Sequence, residues 1–266
     1  MTEQKEEKSC PLYENAFFFG LGGSVTAART LLMTPLFGGP ALNAYPSLFV
    51  NNGIQHIIME QVDTTVKENM KESNNSKDFW KIATVSGVGI GIANAVVDTL
   101  FINVYKHHKE RKEADPEVKC PFRSAYDLVH NNGVGSLFEG YFPRALHKSL
   151  FTAAFKTCLG FNSRWVNNML PKEHGIVRKV VQPLVLGAIS GAEATIMTKP
   201  VEETIRGLIS GEGVKPKKVA KDTLHAAKTI FPSIGLSVAM YSNGKRALKP
   251  SERALRDVFS KIHSKH

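Results

Sequence analysis

The feature that most constrains this sequence is a long apolar run that contains a single charged residue. Across residues 82–104 that residue is Asp98. A helix needs about 20 mostly apolar residues to cross a bilayer, so the run predicts a membrane-spanning helix over residues 80–105. A carboxylate inside a membrane is costly and marks a functional position by default. The alternative is that Asp98 caps the helix end at the interface.

The apolar run belongs to a pattern that returns about 100 residues later. Each copy contains two glycines four residues apart: Gly87 and Gly91, then Gly187 and Gly191. Small residues at this spacing let membrane helices pack closely. A carboxylate, Asp98 or Glu202, follows one glycine of each copy at the same interval of 11 residues. The interval predicts equivalent positions for the two acids.

A second repeated string supports a similar period. Residues 144–149 (Arg-Ala-Leu-His-Lys-Ser) return as residues 246–251 (Arg-Ala-Leu-Lys-Pro-Ser), an offset of 102. The Pro-Ser pair at 46–47 lies two such offsets before the pair at 250–251. Similarity at a fixed period predicts a single domain, 1–266, made of three repeats at about 14–75, 79–172 and 176–266.

A glycine-rich link follows a short amphipathic segment at residues 122–130. Gly133 comes after two asparagines and can adopt a positive φ, so it suits a helix end. Gly140 allows close approach of the backbone, and Pro143 fits the first turn of a new helix. The link therefore predicts two helices joined by a tight turn, although an ordinary helix–loop–helix would have the same features.

The repeats and the link together resemble the mitochondrial carrier family. In that family the link has an acidic residue before its first glycine and a basic residue before its second. Here Asn132 takes the acidic position and Glu139 takes the basic one. The frame of the motif is present, while its charges are altered.

The carriers also have a gate motif: a proline, any residue, an acid, two residues and a base. Pro200 and Glu202 match it. Ile205 takes the basic position, and Arg206 is one residue late. The fifth predicted span is therefore similar to a gate helix that has lost its basic residue in register.

The preceding repeat keeps less of the gate motif. Asp98 matches the acid, whereas Val96 replaces the proline and Phe101 replaces the base. In the family these acids and bases pair across the matrix ends of the odd-numbered helices and close the gate. The resemblance thus assigns four residues as remnants of this gate: Asp98, Pro200, Glu202 and Arg206.

The resemblance implies an all-α fold of six helices, in three related helix pairs, crossing the inner mitochondrial membrane several times. The expected spans are 16–33, 42–60, 80–105, 142–165 and 178–209, with a sixth from about Gly244. Residues 62–78 are expected to form a helix end and a loop. The basic run 106–112 is expected to be a solvated loop, and attraction of the run to anionic headgroups is the alternative. Residues 219–231 are expected to form a separate matrix helix. The first repeat is shortened, because Leu36-Phe37-Gly38-Gly39 follows its first span directly.

Two lysines of the fourth predicted span are candidates for lining a central cavity. Lys148 and Lys156 are eight residues apart and share a helix face with Thr152 between them. Facing inward, they would attract an anion. The alternative is that basic residues of this span extend to the interfaces. Glu193, in the middle of the fifth span, is a further candidate cavity residue.

The charge of the chain favours an anionic partner. The formal net charge is +10, which suits a metabolite, an anionic lipid such as cardiolipin, or nucleic acid. The basic residues are spread between apolar segments, so nucleic-acid binding is not expected. The three cysteines, Cys10, Cys120 and Cys158, are far apart. Neither a metal site, a cofactor nor an enzyme motif is indicated.

Two functions compete for such a chain. It keeps two of three gate carboxylates, has no basic partner in register, and carries many charges in its last expected span. These losses favour a non-transporting structural or accessory subunit of an inner-membrane, respiratory complex, bound to other inner-membrane subunits. The alternative is a transporter that exchanges a small anionic metabolite by alternating access.

Overall fold

The structure, a computed structural model, describes residues 11–37, 45–70, 76–115, 120–169, 175, 177–211 and 213–263. The regular elements within those ranges are all helical. The α-helices are α1 Pro11–Phe37, α2 Tyr45–Asn69, α3 Ser76–Ala114, α4 Pro121–Asn132, α5 Tyr141–Met169, α6 Gln182–Ser210 and α7 Pro216–His263. The prediction of an all-α fold is therefore confirmed for these ranges.

Six of the α-helices form a closed ring. Each packs against the next in the order α1, α2, α3, α5, α6 and α7, and α7 returns to α1. The short α4 lies beside α3, where it packs together with the 3₁₀ turn Val134–Phe138. Inside this ring, side chains of α2 meet side chains of α3, α5 and α7. The relation of the helix pairs as three repeats stays a prediction.

Glycines set a close helix contact between α3 and α5. A Cβ on Gly87 would overlap the backbone of Ala153, and one on Gly91 would overlap the backbone of Ser149. The Ser149 hydroxyl also donates to the Val88 carbonyl at 3.3 Å. The small residues thus let two helix backbones touch, as their spacing predicts.

The last helix differs from its prediction. α7 is continuous, so residues 219–231 are not a separate matrix helix, and no new span begins near the predicted start. The stretch between the two predicted pieces packs on α6. There Ile234 lies against Gly191, and Val238 lies against Gly187. The helix continues because this stretch supplies the apolar face that α6 covers.

One segment that was expected to be a solvated loop is also helical. The basic run 106–112 continues α3 to Ala114, whereas residues 62–69 form the last turns of α2, as the helix end expected there implies. Two ion pairs at helical spacing support the end of α3: Lys106–Glu110 and Lys109–Glu113. Polar composition misled the prediction for the basic run, since pairs four residues apart stabilise an exposed helix. The short link predicted at Leu36-Phe37-Gly38-Gly39 lies mostly outside the described residues.

The apolar residues of α3 lie largely on the outer surface of the protein. Two segments in the described part of the chain are long and apolar enough to cross a membrane, Phe79–Ala114 and Arg178–Gly207. Only 33% and 44% of their most apolar windows are buried inside the protein, whereas the core helix of a soluble protein is mostly buried. The exposed apolar residues of α3 include Val85, Val88, Ile92, Val96 and Ile102. Surfaces of this kind mark contact with lipid or protein.

Candidate functional site

α2 carries a set of polar side chains that enter the ring. Asn51, Gln55 and Asp63 follow one another at intervals of four and eight residues and share one face, while His56 and Glu60 share a neighbouring face. Because of these polar residues, α2 is not apolar enough to be among the candidate membrane spans of the described residues, although a span was predicted there. The polar groups of both faces contact other helices, and they define the candidate site.

The gate-motif carboxylate Asp98 makes the first of these contacts. It accepts a hydrogen bond from the Asn51 amide at 2.9 Å and another from Gln55, and it forms an ion pair with Lys148 of α5. Because α3 continues to Ala114, Asp98 does not cap the helix end. The structure thus brings together a predicted gate residue and a predicted cavity lysine through side chains of α2.

Lys156 makes the second contact, about 12 Å further along α5. It forms an ion pair with Asp63 of α2, and its ammonium lies 2.9 Å from the Ser86 hydroxyl of α3. Ser86 is fully buried and donates a hydrogen bond to Asp63. Sequence reasoning missed Asp63 because it falls in the polar segment interpreted as a helix end. The available signal was its helical spacing from Gln55, which places both on one face but does not identify the lysine partner.

Glu60 extends the polar interior toward α7. It accepts a hydrogen bond from the Tyr241 hydroxyl at 2.6 Å and pairs with Lys245 at 3.0 Å. The His56 ring stacks on Tyr241, with ring centroids 4.8 Å apart. None of these four residues was predicted as part of a site, since α2 and α7 are separated by most of the chain.

The ion pairs of α2 link helices that are not neighbours in the ring. α2 packs mainly on α1 and α3, yet its carboxylates pair with lysines of α5 and α7. Charges taken out of water are costly, and they persist only where geometry and further hydrogen bonds compensate. The interior is therefore spanned by charged pairs that would have to separate before a solute could pass between them.

The second gate-motif carboxylate, Glu202, has a different set of partners. Lys199 and Arg206 each place a nitrogen 3.0 Å from one of its oxygens, and both belong to α6. His147 of α5 places Nδ1 3.1 Å away. Pro200 lies inside α6 just before this cluster. Each gate carboxylate thus has a basic partner, although not the one that the family's motif would supply.

The first, third and fifth helices of the ring, α1, α3 and α6, are not joined to one another by charge. Among the described residues, no ion pair links α1, α3 and α6 directly. The interhelical pairs instead involve α2, α4, α5 or α7. Each described interhelical pair thus includes α4 or one of the second, fourth and sixth helices of the ring, which are α2, α5 and α7.

The other two predicted cavity residues lie at helix interfaces. The Asn162 amide donates to Glu193 Oε2 at 2.6 Å and to Ser190 Oγ at 3.1 Å, which joins α5 to α6. Thr152 is half-buried where Gly87 of α3 meets α5. The structure therefore does not bring Glu193 or Thr152 into the network around α2.

The predicted link is a turn held by α3. Gly133 has a φ of 78°, and its N–H donates to the Val129 carbonyl at 2.8 Å, which ends α4. The side-chain amide of Asn103 donates to three carbonyls of the link, those of Ser136, Leu137 and Glu139. Sequence reasoning missed Asn103. The available signal was the presence of an amide side chain near the end of the apolar run, where a polar group needs a hydrogen-bond partner.

A groove of about 390 Å³ lies between the start of α5 and the second half of α6. Its polar lining includes Arg144, His147, Glu202 and Arg206, and its apolar lining includes Pro143, Leu146, Leu150 and Ile205. Gly140 at its rim has a φ of 71°, which favours glycine. The groove combines two guanidinium groups with apolar walls.

Comparison with known proteins shows a distant similarity. No protein-family model matches the chain. A protein of Schizosaccharomyces pombe (strain 972 / ATCC 24843), named "Uncharacterized mitochondrial carrier C19G12.05", is 19% identical over 207 residues. The aligned region covers 76% of this chain and 68% of the relative. The similarity agrees with the resemblance to the mitochondrial carrier family and carries no information on substrate.

Proposed function

We propose that this chain is a carrier-type membrane protein of the mitochondrion that admits a small anionic solute to the interior of its helix ring and passes it across the membrane. The observation that carries the proposal is the pair of charged contacts that cross the ring, Asp63–Lys156 and Glu60–Lys245. The net charge of +10 supports an anion as the solute.

The physical reason lies in the cost of these contacts. Ionisable groups inside a membrane protein are expensive and commonly mark a solute or proton pathway. If the ring only had to hold its helices together, apolar side chains of similar volume would do so at equal or lower cost. Ion pairs, in contrast, suit an equilibrium between two states whose energies differ by a few kcal/mol. The network thus supports an interior that opens.

The outer surface supports the membrane part of the proposal. Trp80 and Tyr105 are both exposed, one at each end of the apolar part of α3. They are 25 residues apart, or about 37 Å along a helix. This length is close to that of a bilayer with its interfacial regions, where Trp and Tyr concentrate. We assign the inner membrane and several crossings as part of the same proposal.

A second candidate function is the non-transporting accessory subunit expected from the sequence. It is favoured by the lack of a described ion pair among α1, α3 and α6. These are the first, third and fifth helices of the ring, and in the carrier family the charges of the odd-numbered helices close the gate. A ring that cannot close at that end would bind other inner-membrane subunits without moving solute. The carrier proposal has the advantage of explaining why Asp63 and Lys156 are inside the ring.

The proposal includes an anionic phospholipid, such as cardiolipin, as a partner. The lining of the groove between α5 and α6 includes Arg144 and Arg206 as well as Leu146 and Leu150. Guanidinium groups bind phosphate through charged hydrogen bonds, and the leucines suit an acyl chain. A headgroup there would lie beside Glu202, and the negative charge of Glu202 is already compensated by Lys199 and Arg206.

Reconstitution into liposomes tests the carrier function. We expect saturable uptake of at least one labelled solute from a panel of phosphate, dicarboxylates, tricarboxylates and nucleotides. Lys156→Gln should abolish it, because the contact with Asp63 is lost. The matched control is Lys109→Gln, which removes an exposed pair with Glu113 at the end of α3. Absence of uptake for every solute by folded protein, together with co-migration with a larger complex, would favour the accessory subunit instead.

A further inference from the structure

Arg29 of α1 is a half-buried cation without a carboxylate partner in the described part of the chain. Four other half-buried lysines and arginines have one: Arg111, Lys148, Lys156 and Lys199. Arg144, the remaining one, donates to the Glu139 carbonyl at 2.9 Å. Arg29 has a long hydrogen bond to the Ser237 hydroxyl, at 3.4 Å. Its charge is therefore poorly compensated by the residues that the structure describes.

The contact with Ser237 places Arg29 at the inward side of α7. Ser237, Tyr241 and Lys245 follow one another at intervals of four residues and share one helix face. The last two of them reach Glu60 of α2. The guanidinium thus lies where α1 and α7 border the interior, on the same face of α7 as the charged contacts described above.

His56 adds an unsatisfied nitrogen to this region. Its Nδ1 is buried and has no hydrogen-bond partner, while its ring is held against Tyr241. Arg29 and Lys245 are the basic groups near enough to act on the imidazole, and Glu60 is the acidic one. Glu60 already accepts from Tyr241 and Lys245. A buried polar atom without a partner calls for an explanation, and a ligand group supplies one.

We propose that Arg29, together with His56, binds the anionic group of the solute through its carboxylate or phosphate oxygens. A guanidinium matches both groups because it offers paired N–H donors in a plane. The imidazole adds a donor at the edge of such a group. The Ser237 hydroxyl donates to the Ser233 carbonyl at 2.9 Å, so its part is to accept from Arg29 and hold the guanidinium in place. The proposal rests on the carrier function and gives it a substrate class: a small molecule with at least one carboxylate or phosphate.

Thermal unfolding of the purified full chain in neutral detergent tests the site. The probes are inorganic phosphate, malate and citrate, each compared with sodium chloride at equal ionic strength. We expect at least one probe to raise the Tm of the parent protein. Arg29→Gln should weaken that probe's apparent affinity about tenfold or more, since a charged hydrogen bond is lost. Arg29→Lys, which keeps the charge, should retain part of the effect.

The control variant is Arg123→Gln, whose parent side chain is exposed on α4. It should respond to the probes as the parent protein does. Equal stabilisation of parent and Arg29→Gln by every probe, or of neither by any, would overturn the site. Stabilisation by added cardiolipin alone, with no effect of the soluble anions, would also overturn it, because lipid in the groove between α5 and α6 would account for the effect without an anion at Arg29.

Uptake by the same variants separates this site from the carrier function. Binding through Arg29 without uptake by the parent protein would sustain the site and reject transport. Uptake that survives Arg29→Gln with an unchanged KM would sustain transport and reject the site. Arg29→Lys keeps the test informative if Arg29→Gln does not fold, because it preserves the buried charge while changing the geometry of its donors.

Discussion

At the scale of single residues, the contact of Lys156 with Asp63 and Ser86 shows how a charge is kept inside the ring. The ammonium has a carboxylate and a hydroxyl as partners, and the carboxylate also accepts from the hydroxyl. Removing one member leaves another charged group unpaired in a poorly hydrated place, which costs more than the intact pair contributes. Removal of both members is therefore expected to be milder than removal of one.

We predict that Lys156→Met alone lowers the free energy of unfolding by about 2 kcal/mol. The double substitution Lys156→Met with Asp63→Leu should recover at least half of that loss, because no unpaired carboxylate remains. Thermal unfolding of the parent, both single variants and the double variant measures the coupling. A loss in the double variant equal to the sum of the two single losses would contradict the prediction.

The exposed pair Lys109–Glu113 is a matched control. Its side chains are 66% and 68% exposed, so water screens the interaction and little coupling is expected. Double-mutant analysis of this pair should show near-additive effects. Comparable coupling in both pairs would mean that the interior of the ring is as well hydrated as its outer surface.

Single charges could be located from the sequence, whereas their partners could not. Asp98 is conspicuous because a charge in an apolar run is costly whatever it contacts. Its partner Lys148 was also singled out, but for a different role. Asp63 was missed, because its lysine is 93 residues away in the chain. Pairing at that distance depends on which helices face each other, and local pattern carries no such information.

At the scale of helices, closely packed glycines fix how α3 meets α5. A Cβ on Gly91 would collide with the backbone of Ser149, and backbone cannot move aside as a flexible side chain can. Gly20 in α1 differs, because a Cβ there would meet nothing within 4 Å. The same substitution at the two positions therefore separates close packing from helix propensity.

We predict opposite effects for Gly91→Ala and Gly20→Ala. Gly91→Ala should destabilise the protein by about 1–3 kcal/mol, the usual cost of overpacking. Gly20→Ala should leave stability unchanged or raise it by up to about 1 kcal/mol, because alanine favours the helix. Thermal unfolding in one detergent checks both. Destabilisation of equal size at both positions would show that α1 is as closely packed as the contact between α3 and α5.

Helix existence was predictable, but helix extent was not. The Gly-x-x-x-Gly pairs and the apolar run predicted α3 and α6, because small residues and low charge are local features. The prediction wrongly divided α7 into a matrix helix at residues 219–231 and a span from about Gly244. The start of that span was placed by the repeat offset of 102 residues, which assumes equal spacing in each repeat. Ile234 and Val238 pack on α6 instead. A repeat offset does not reveal a shortened connection, which only the packing shows.

At the scale of the whole molecule, charged and polar side chains lie inside the ring and apolar side chains lie on its outer surface. The ring interior contains Glu60, Asp63, Lys156 and Tyr241, while the outer face of α3 is apolar. The mean hydropathy of −0.15 resembles that of a soluble protein, because the average combines the two surfaces. The pattern favours a protein that contacts lipid outside and polar groups inside, for which average hydropathy is a poor guide.

The two tryptophans of the chain provide a test of this arrangement. Trp80 at the start of α3 is 41% exposed, and Trp165 near the end of α5 is 53% exposed. α3 and α5 run antiparallel, since Gly87 meets Ala153 and Gly91 meets Ser149. Both tryptophans therefore lie near the same end of the ring, where an indole would prefer the membrane interface.

We predict that bilayer lipids quench both indoles at shallow depth. In reconstituted protein, lipids brominated near the headgroup should quench tryptophan fluorescence more strongly than lipids brominated near the chain end. Trp80→Phe and Trp165→Phe report each position separately, and both should give the same order of quenching. Strong quenching by aqueous acrylamide with none from brominated lipid would place these surfaces in water. That result would reject the membrane assignment, and with it the reason for charges that face inward.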